Sequence, residues 1–166
     1  SEVGGEIARA AGASVRLLEL LDARPGIEPP ANPVRLPARL RGQVAFEALR
    51  FAYPSRPERP ALNGFNLDVA PGERIALVGP SGSGKSTLMA LLLRFYDPQD
   101  GRIALDGIDI RRCDPREVRR HIALVPQEPV IFAASVVENV RYGQPDASEA
   151  RVRAALEAAH AAEFVE

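Results

Sequence analysis

A glycine-rich loop between two apolar runs is the feature that most restricts the fold of this chain. Residues 75–78 are all apolar, which favours a strand in the middle of a sheet covered on both faces by helices. Residues 79–86, with the sequence GPSGSGKS, match the pattern G-x-x-x-x-G-K-[ST] at every fixed position. Residues 88–93 are apolar nearly all round and predict a buried helix. A strand, a loop and a helix in this order predict an α/β fold.

The glycine-rich loop is predicted to bind phosphate groups. Its glycines let backbone N–H groups converge on an anion, and the start of the following helix adds unpaired N–H groups and the positive end of its dipole. Lys85 is expected to reach the β- and γ-phosphates, Ser86 to bind Mg²⁺, and Thr87 to bond near the α-phosphate. The candidate phosphate ligands are Gly79, Pro80, Ser81, Gly82, Ser83, Gly84, Lys85, Ser86 and Thr87.

The basic residues of the chain single out one side chain of this loop. All but one of the 21 basic residues are arginines, and the exception is Lys85. A compact ammonium on a flexible stem suits a phosphate-binding loop better than a bulkier, planar guanidinium. The formal net charge of −1 gives no indication of a nucleic-acid partner, and none is expected. No run of about 18 apolar residues is present, so the sequence as given predicts no membrane span.

Three regions are predicted along the chain. Residues 1–24 carry apolar side chains at three- and four-residue spacing and predict an amphipathic helix. Residues 25–41 predict a semi-rigid, extended linker and a domain boundary, because proline excludes a regular helix there. Residues 42–166 predict one domain that contains the glycine-rich loop. The linker prolines are Pro25, Pro29, Pro30, Pro33 and Pro37.

Short strands are predicted on both sides of the glycine-rich loop. An antiparallel portion comes before the loop, and a hairpin comes after it, because Asp106-Gly107 between two apolar runs is a strong hairpin signal. A further run, 121–125, predicts a second buried strand. The remaining predicted strands are 44–53, 65–69, 102–105 and 108–110.

Capping residues predict three helices in the second half of the chain. Asp114, followed by Pro115 and Glu117, predicts the start of a short helix with a capping box. Ser135 and Glu138 predict a second capping box, and Gly143 the end of that helix. Asp146 and Glu149 predict the start of a third, alanine-rich helix that runs to the end of the chain.

Five motifs in a fixed order resemble the ATPase domain of ATP-binding-cassette (ABC) exporters. They are F-x-Y-P-x-R-P at 51–57, the glycine-rich loop, D-G at 106–107, V-P-Q at 125–127 and F-x-x-S-V-x-E-N-V-x-Y-G at 132–143. The chain most resembles bacterial half-transporters, which fuse a membrane domain ahead of the ATPase domain. The resemblance implies an incomplete phosphate-loop (RecA-like) core, with an antiparallel β subdomain before the loop and the start of a helical subdomain after it.

The resemblance also implies ATP and Mg²⁺ as cofactors and gives roles to three residues outside the loop. Tyr53 matches the aromatic residue that stacks on adenine, and its ring face is suited to that contact. Arg56 is implied to lie near the nucleotide, although a solvated turn residue is an equally open interpretation. Gln127 matches the glutamine that contacts Mg²⁺ or the attacking water. Lys85 and Gln127 are the implied catalytic residues.

The same resemblance implies partners and a location. A second nucleotide-binding domain, in a homodimer or a heterodimer, is expected to close over the γ-phosphate. Residues 1–24 resemble the helix that enters from a fused membrane domain, and residues 128–132 resemble the surface that its cytoplasmic helices contact. The expected location is the cytoplasmic face of the inner (plasma) membrane.

Several motifs of the family lie beyond Glu166 in the family's order: the signature loop, the Walker B aspartate with its catalytic glutamate, and the switch histidine. We therefore expect this chain to bind ATP without turning it over, while a longer protein hydrolyses ATP to drive export. Asp106 is interpreted as a hairpin residue rather than the Walker B aspartate, and His121, His160 and Cys113 as structural residues. Two alternatives stay open: another phosphate-loop NTPase such as a small-molecule kinase, and a non-catalytic nucleotide-binding module.

Overall fold

The computed structural model describes Val15, Leu18, Leu21, Asp22 and residues 25–165. The amphipathic helix expected over residues 1–24 therefore falls almost entirely outside the described residues. At Val15, Leu18 and Leu21 the backbone is helical and the side chains are exposed. The chain divides into two compact units, Ser1–Ala123 and Leu124–Glu166.

A four-stranded antiparallel sheet forms the framework of the first unit. Its strands are β1 (Val44–Phe51), β2 (Leu62–Val69), β3 (Asp100–Leu105) and β4 (Ile108–Asp109), in the spatial order β2-β1-β3-β4. Every neighbouring pair is antiparallel, which confirms the antiparallel portion predicted from the sequence. A register shift after Phe46 lets Phe46 and Leu49 both enter the core although they are three residues apart.

The Asp106-Gly107 hairpin is confirmed, with a two-residue turn between β3 and β4. Both turn residues have left-handed backbones, with φ of 46° at Asp106 and 81° at Gly107, as a type I′ turn requires. The Asp106 carboxylate accepts hydrogen bonds from the backbone N–H groups of Arg41, Gly42 and Gln43, at 2.5, 3.0 and 2.9 Å. Burial alone would raise the pKa of Asp106, but these N–H groups lower it below its ordinary value.

The proline-rich segment belongs to the first unit and contributes to its core. Leu36 is only 6% exposed and belongs to the hydrophobic core. The backbone N–H of Val34 donates to the carbonyl of Arg112 at 2.7 Å, and that of Leu36 donates to the carboxylate of Glu117 at 2.8 Å.

The Glu117 contact corrects one sequence expectation. Helix α2 spans Pro115–Arg120, and Asp114 caps it by accepting from the backbone N–H of Arg116 at 2.7 Å. (Helix α1, Lys85–Leu92, precedes it in the chain.) Glu117 does not complete the predicted capping box, because its carboxylate binds Leu36 instead. The predicted strand 108–110 is also shorter than expected, since a 3-10 helix begins at Ile110 and ends at Arg112.

Two predicted strands are not formed. Residues 75–78 and 121–125 were expected to be buried strands, yet the backbone there has no strand pairing, and Val78 and Val125 are 88% and 92% exposed. A strand needs neighbours that complete its hydrogen bonds, and each of the four described strands pairs only within the antiparallel sheet. Leu77 and Ile122 pack partly against the core, but the other large apolar side chains of the two segments are exposed.

Helix α1 (Lys85–Leu92) follows the glycine-rich loop, as predicted. It buries Thr87, Leu88 and Leu91, and the leucines join the core that the sheet supplies through Phe51 and Ile103. The helix thereby fixes the loop at one end of the sheet, because the loop leads directly into its first turn.

The second unit contains two α-helices. Helix α3 (Val136–Arg141) has the predicted capping box: Ser135 Oγ accepts from the backbone N–H of Glu138, and the Glu138 carboxylate accepts from that of Ser135. Helix α4 (Glu149–Ala158) begins after Ser148, whose hydroxyl accepts from the N–H of Arg151.

The boundaries expected for the third predicted helix are therefore wrong at both ends. Asp146 lies ahead of the residue that caps α4, and the helix stops at Ala158, with a 3-10 turn following at Ala162–Phe164. Neither these helices nor any other helix in the described ranges combines the length and apolarity needed to cross a membrane.

Candidate functional site

A cleft of about 330 Å³ opens at the N-terminus of α1. Its walls are Tyr53, which follows β1, Ala61, which precedes β2, and residues 81–87 of the loop and first helical turn. The structure thus brings together seven of the nine predicted phosphate ligands with the predicted base-stacking residue. The other two, Gly79 and Pro80, accept hydrogen bonds from Lys85 through their carbonyl groups.

Gly84 determines how the loop enters α1. It is the N-cap of the helix, with a left-handed backbone at φ 92°. A Cβ atom on Gly84 would lie 2.8 Å from the carbonyl oxygen of Ala61 and 2.9 Å from a methyl group of Leu62. Glycine is therefore required for both conformation and space. Because this N-cap has no side chain to accept hydrogen bonds, the first N–H groups of α1 have no side-chain cap.

Lys85 is held inside its own loop. Its Nζ donates to the carbonyl oxygens of Gly79 at 2.7 Å and Pro80 at 2.9 Å, and to Ser83 Oγ at 3.2 Å. An ammonium group has three hydrogen-bond donors, so these acceptors use its full capacity. The positive charge is thus placed next to the helix N-terminus that has no side-chain cap. An anion that binds Lys85 Nζ would replace these protein oxygen atoms with its own.

The two hydroxyl groups that follow Lys85 differ in their surroundings. Ser86 is exposed and lines the cleft, whereas Thr87 is 5% exposed. The Thr87 Oγ1 atom lies 3.1 Å from the Tyr53 hydroxyl, a hydrogen bond between residues 34 positions apart. Sequence reasoning missed this bond, since no local pattern connects the two residues.

The ring of Tyr53 belongs to an aromatic cluster beside the cleft. It meets Phe51 edge-to-face at 5.0 Å between centroids, and Tyr96 edge-to-face at 5.3 Å. Tyr96 was also missed, and the only signal for it is an aromatic pair, Phe95-Tyr96, just after the apolar helix. Tyr53 therefore combines core packing with a place on the wall of the cleft.

Two predicted site residues, Arg56 and Gln127, are not among the residues that line this cleft. Arg56 sits in the turn after Tyr53, where its backbone N–H donates to the Tyr53 carbonyl at 2.8 Å, and its exposed side chain is not part of the described cleft wall. Gln127 belongs to the second unit and is exposed. The nucleotide-binding role of Arg56 and the catalytic role of Gln127 remain predictions.

The charges around the cleft favour an anionic ligand. Lys85 is the only charged side chain on its described wall, next to the positive end of α1. Within the described ranges no cluster of three or more His, Cys, Asp or Glu side chains could hold a metal ion. The cleft is accordingly suited to a phosphate group, and a metal there would need additional ligands from that phosphate.

Comparison with known proteins identifies the family. A model of the ABC transporter family matches residues 62–166. ABC transporter B family member 3 of Dictyostelium discoideum is 43% identical over 158 residues, which cover 95% of this chain and 11% of that protein. Antigen peptide transporter 2 of Rattus norvegicus is 43% identical over 161 residues, which cover 97% of this chain and 23% of that protein.

A similar solved structure also comes from an ABC exporter. The structure of a bacterial Atm1-family ABC exporter with ATP bound aligns with a TM-score of 0.79 and 37% identity, over 95% of this chain and 27% of that one. The chain thus spans between about a tenth and a quarter of the proteins it matches. With the phosphate-loop geometry, the family match and the structural match in agreement, the chain belongs to the ABC transporter family.

Proposed function

We propose that this chain binds ATP in the cleft at the start of α1, as part of the nucleotide-binding domain of an ABC exporter. The observation that carries the proposal is the placement of Lys85 beside an uncapped helix N-terminus, inside a loop that matches the phosphate-binding pattern throughout. Membership of the ABC transporter family already implies nucleotide binding. The related exporter whose structure was solved with ATP supports the choice of nucleotide.

Three residues of the cleft wall have proposed roles that their positions support. Lys85 donates to the β- and γ-phosphates after releasing its loop carbonyls, and the first N–H groups of α1 bind the same anion. Tyr53 presents an aromatic ring at the cleft for the adenine base. Thr87 bonds near the α-phosphate, and its hydroxyl links that end of the nucleotide site to Tyr53.

Mg²⁺ fits this site as a companion of the nucleotide. Ser86 offers an exposed hydroxyl oxygen on the cleft wall, and hard oxygen atoms are the ligands that Mg²⁺ prefers. One hydroxyl cannot hold the ion alone, and phosphate oxygens are its usual further ligands. When bound, the ion neutralises charge on the phosphates, and Gln127 is the proposed second contact from this chain.

At the level of the whole protein we propose ATP hydrolysis coupled to export of a substrate across a membrane. In this proposal, residues 1–24 continue from a fused membrane domain, residues 25–41 link the domains, and residues 42–166 are the first part of the ATPase domain. Its partners are a second nucleotide-binding domain and cytoplasmic helices of the membrane domain. The ATPase domain then lies at the cytoplasmic face of the membrane, and Lys85 and Gln127 act in catalysis.

Calorimetric titration of the chain with ATP and Mg²⁺ tests the binding step. Lys85→Ala removes charge-assisted hydrogen bonds worth about 1.5–3 kcal/mol, so ATP affinity should fall roughly 10- to 150-fold. Arg116→Ala is the matched control, because it removes a positive charge from an exposed position on α2. Equal ATP affinity for the wild type and Lys85→Ala would overturn the proposal.

A further inference from the structure

An exposed glutamine completes the hydrogen bonds of β1 immediately before Tyr53. The Gln99 Oε1 atom accepts from the backbone N–H of Ala52 at 2.9 Å, and its Nε2 donates to the Ala52 carbonyl at 2.9 Å. The backbone N–H of Gln99 also donates to the carbonyl of Arg50 at 3.0 Å. Gln99 therefore makes one hydrogen bond to Arg50 in β1 and two to Ala52, the first residue after β1.

Gln99 lies where the pairing between β1 and β3 ends, so its side chain can bond to backbone groups that β3 does not reach. Strand β3 pairs with β1 as far as Arg50 and Asp100, where β3 begins. The next outward-facing backbone groups on that side of β1 belong to Ala52. The amide of Gln99 bonds to both of them, as a further strand residue would. On the opposite side, the N–H of Ala61 donates to the Phe51 carbonyl at 2.7 Å.

The two hydrogen bonds from the Gln99 amide, here called the Gln99 clamp, fix the backbone of Ala52, the residue next to Tyr53. Past Ala52 the chain enters the exposed turn of residues 54–60, which provides no sheet pairing of its own. The Tyr53 ring must nevertheless meet Phe51, Tyr96 and the Thr87 hydroxyl together. Those contacts need a fixed backbone at Ala52, because a shift of one ångström there is enough to break a hydrogen bond of 3.1 Å.

We propose that Gln99 is a positioning residue for the nucleotide base: by clamping Ala52 it holds the Tyr53 ring on the wall of the cleft. This inference rests on the proposed function, in which Tyr53 stacks on the base. Gln99 itself is not on the wall of the phosphate cleft, but lines a second cleft of about 460 Å³ that shares Tyr53 with the first. It acts on affinity through Tyr53, and only on the part that the base contributes.

Two probes separate the base from the phosphates: MgATP, and magnesium tripolyphosphate, which has no base. Gln99→Met keeps the length of the side chain and removes both hydrogen bonds to Ala52. MgATP affinity should fall about three- to tenfold, the effect of losing roughly one net hydrogen bond, while tripolyphosphate affinity should not change. Gln99→Glu can still accept a hydrogen bond from the Ala52 N–H but cannot donate one when ionised. Its MgATP affinity should lie between those of the wild type and Gln99→Met.

A double-mutant cycle with Tyr53→Ala shows whether the effect passes through the ring. Once Tyr53 is replaced, Gln99→Met should cause no further loss of MgATP affinity. The matched control is Gln43→Met, at the other end of β1, where the amide makes only long contacts of 3.3 and 3.5 Å with Asp68. This control should bind both probes like the wild type.

The outcomes distinguish this inference from the proposed function. The positioning role would be overturned if Gln99→Met lost equal affinity for both probes or lost affinity for neither. It would also be overturned if Gln99→Met caused its full loss of MgATP affinity in the Tyr53→Ala background. If the wild type binds neither probe, the proposed function itself fails, and the inference fails with it. Tripolyphosphate binding by the wild type without any preference for MgATP would leave phosphate binding intact and refute base positioning.

Discussion

The hydroxyl oxygens of Tyr53 and Thr87 lie 3.1 Å apart and join the end of β1 to the first turn of α1. One of these residues is assigned to the base and the other to the α-phosphate. The two ends of the nucleotide site are therefore connected within the protein before any nucleotide enters. The bond helps to hold the Tyr53 ring in place, so its loss is expected to weaken the contact with the base.

Two substitutions of Tyr53 distinguish the contribution of its ring to ATP binding from that of its hydroxyl. The sequence alone predicts that Tyr53→Phe is nearly neutral, because the ring face carries the stacking. The bond to Thr87 changes that expectation: Tyr53→Phe should weaken ATP binding by up to about tenfold, the upper effect of one neutral hydrogen bond. Tyr53→Ala should be weaker still, since both contributions are lost. Isothermal titration of the three proteins provides the comparison, and a Phe variant as weak as the Ala variant would show that the ring does not carry the binding.

Replacing Gly84 should disturb both the fold and the site. In Gly84→Ala the new methyl group meets the Ala61 carbonyl at 2.8 Å in a left-handed backbone, so we expect destabilisation of about 1–3 kcal/mol and weaker ATP binding. Chemical denaturation measures the first effect and titration the second. The control is Gly26→Ala, where a Cβ atom would meet nothing within 4 Å. Equal stability of both variants would mean that the loop relaxes around the methyl group.

Asp106 should make the first unit sensitive to acid. Its pKa is lowered in the folded chain, since the N–H groups of Arg41, Gln43 and Gly42 outweigh the effect of burial. Its contribution to stability is therefore complete above the ordinary aspartate pKa of about 4, and is lost as the pH falls through the lower folded value. Asp106→Asn should be less stable than the wild type at pH 7, with a difference that narrows below about pH 4. Chemical denaturation at several pH values tests this, with Asp22→Asn at an exposed position as the control. If the stability difference between Asp106→Asn and the wild type did not depend on pH, the carboxylate charge would not be its cause.

The chain is expected to bind ATP without hydrolysing it. Phosphoryl transfer requires a metal held from more than one side and a group that orients the attacking water. The described cleft wall has the Ser86 hydroxyl and no acidic side chain. Phosphate release should therefore stay at background in an assay of the 166-residue chain. Release at about 1 per second that disappears in Lys85→Ala would show that the described residues are sufficient.

Features that depend on neighbouring residues were predictable from the sequence. The loop, the start of α1, the Asp106-Gly107 turn and the Ser135 capping box each follow from a few consecutive side chains. Their geometry is set by local hydrogen bonds and by glycine, which the sequence displays directly. The same holds for most of the cleft, because seven of its residues are consecutive.

Features that depend on distant partners were not predictable. Residues 75–78 and 121–125 have the composition of buried strands, but strand formation requires partners that composition does not identify. Glu117 was expected to cap its own helix, and instead binds Leu36, 81 positions away. Tyr96 and Gln99 reach the site through contacts 43 and 47 residues apart in sequence, so no motif indicates them.

The three hydrogen bonds of Lys85 to its own loop are expected to make the phosphate site selective for the charge of its ligand. Any ligand must exchange bonds that already satisfy the ammonium, so only the difference between new and old bonds contributes to affinity. A singly charged anion offers little more than two carbonyls and a hydroxyl already provide. A polyphosphate offers several negative oxygens at once and can replace all three. We therefore expect the loop to discriminate against abundant small anions, because its own oxygen atoms compete with them for Lys85.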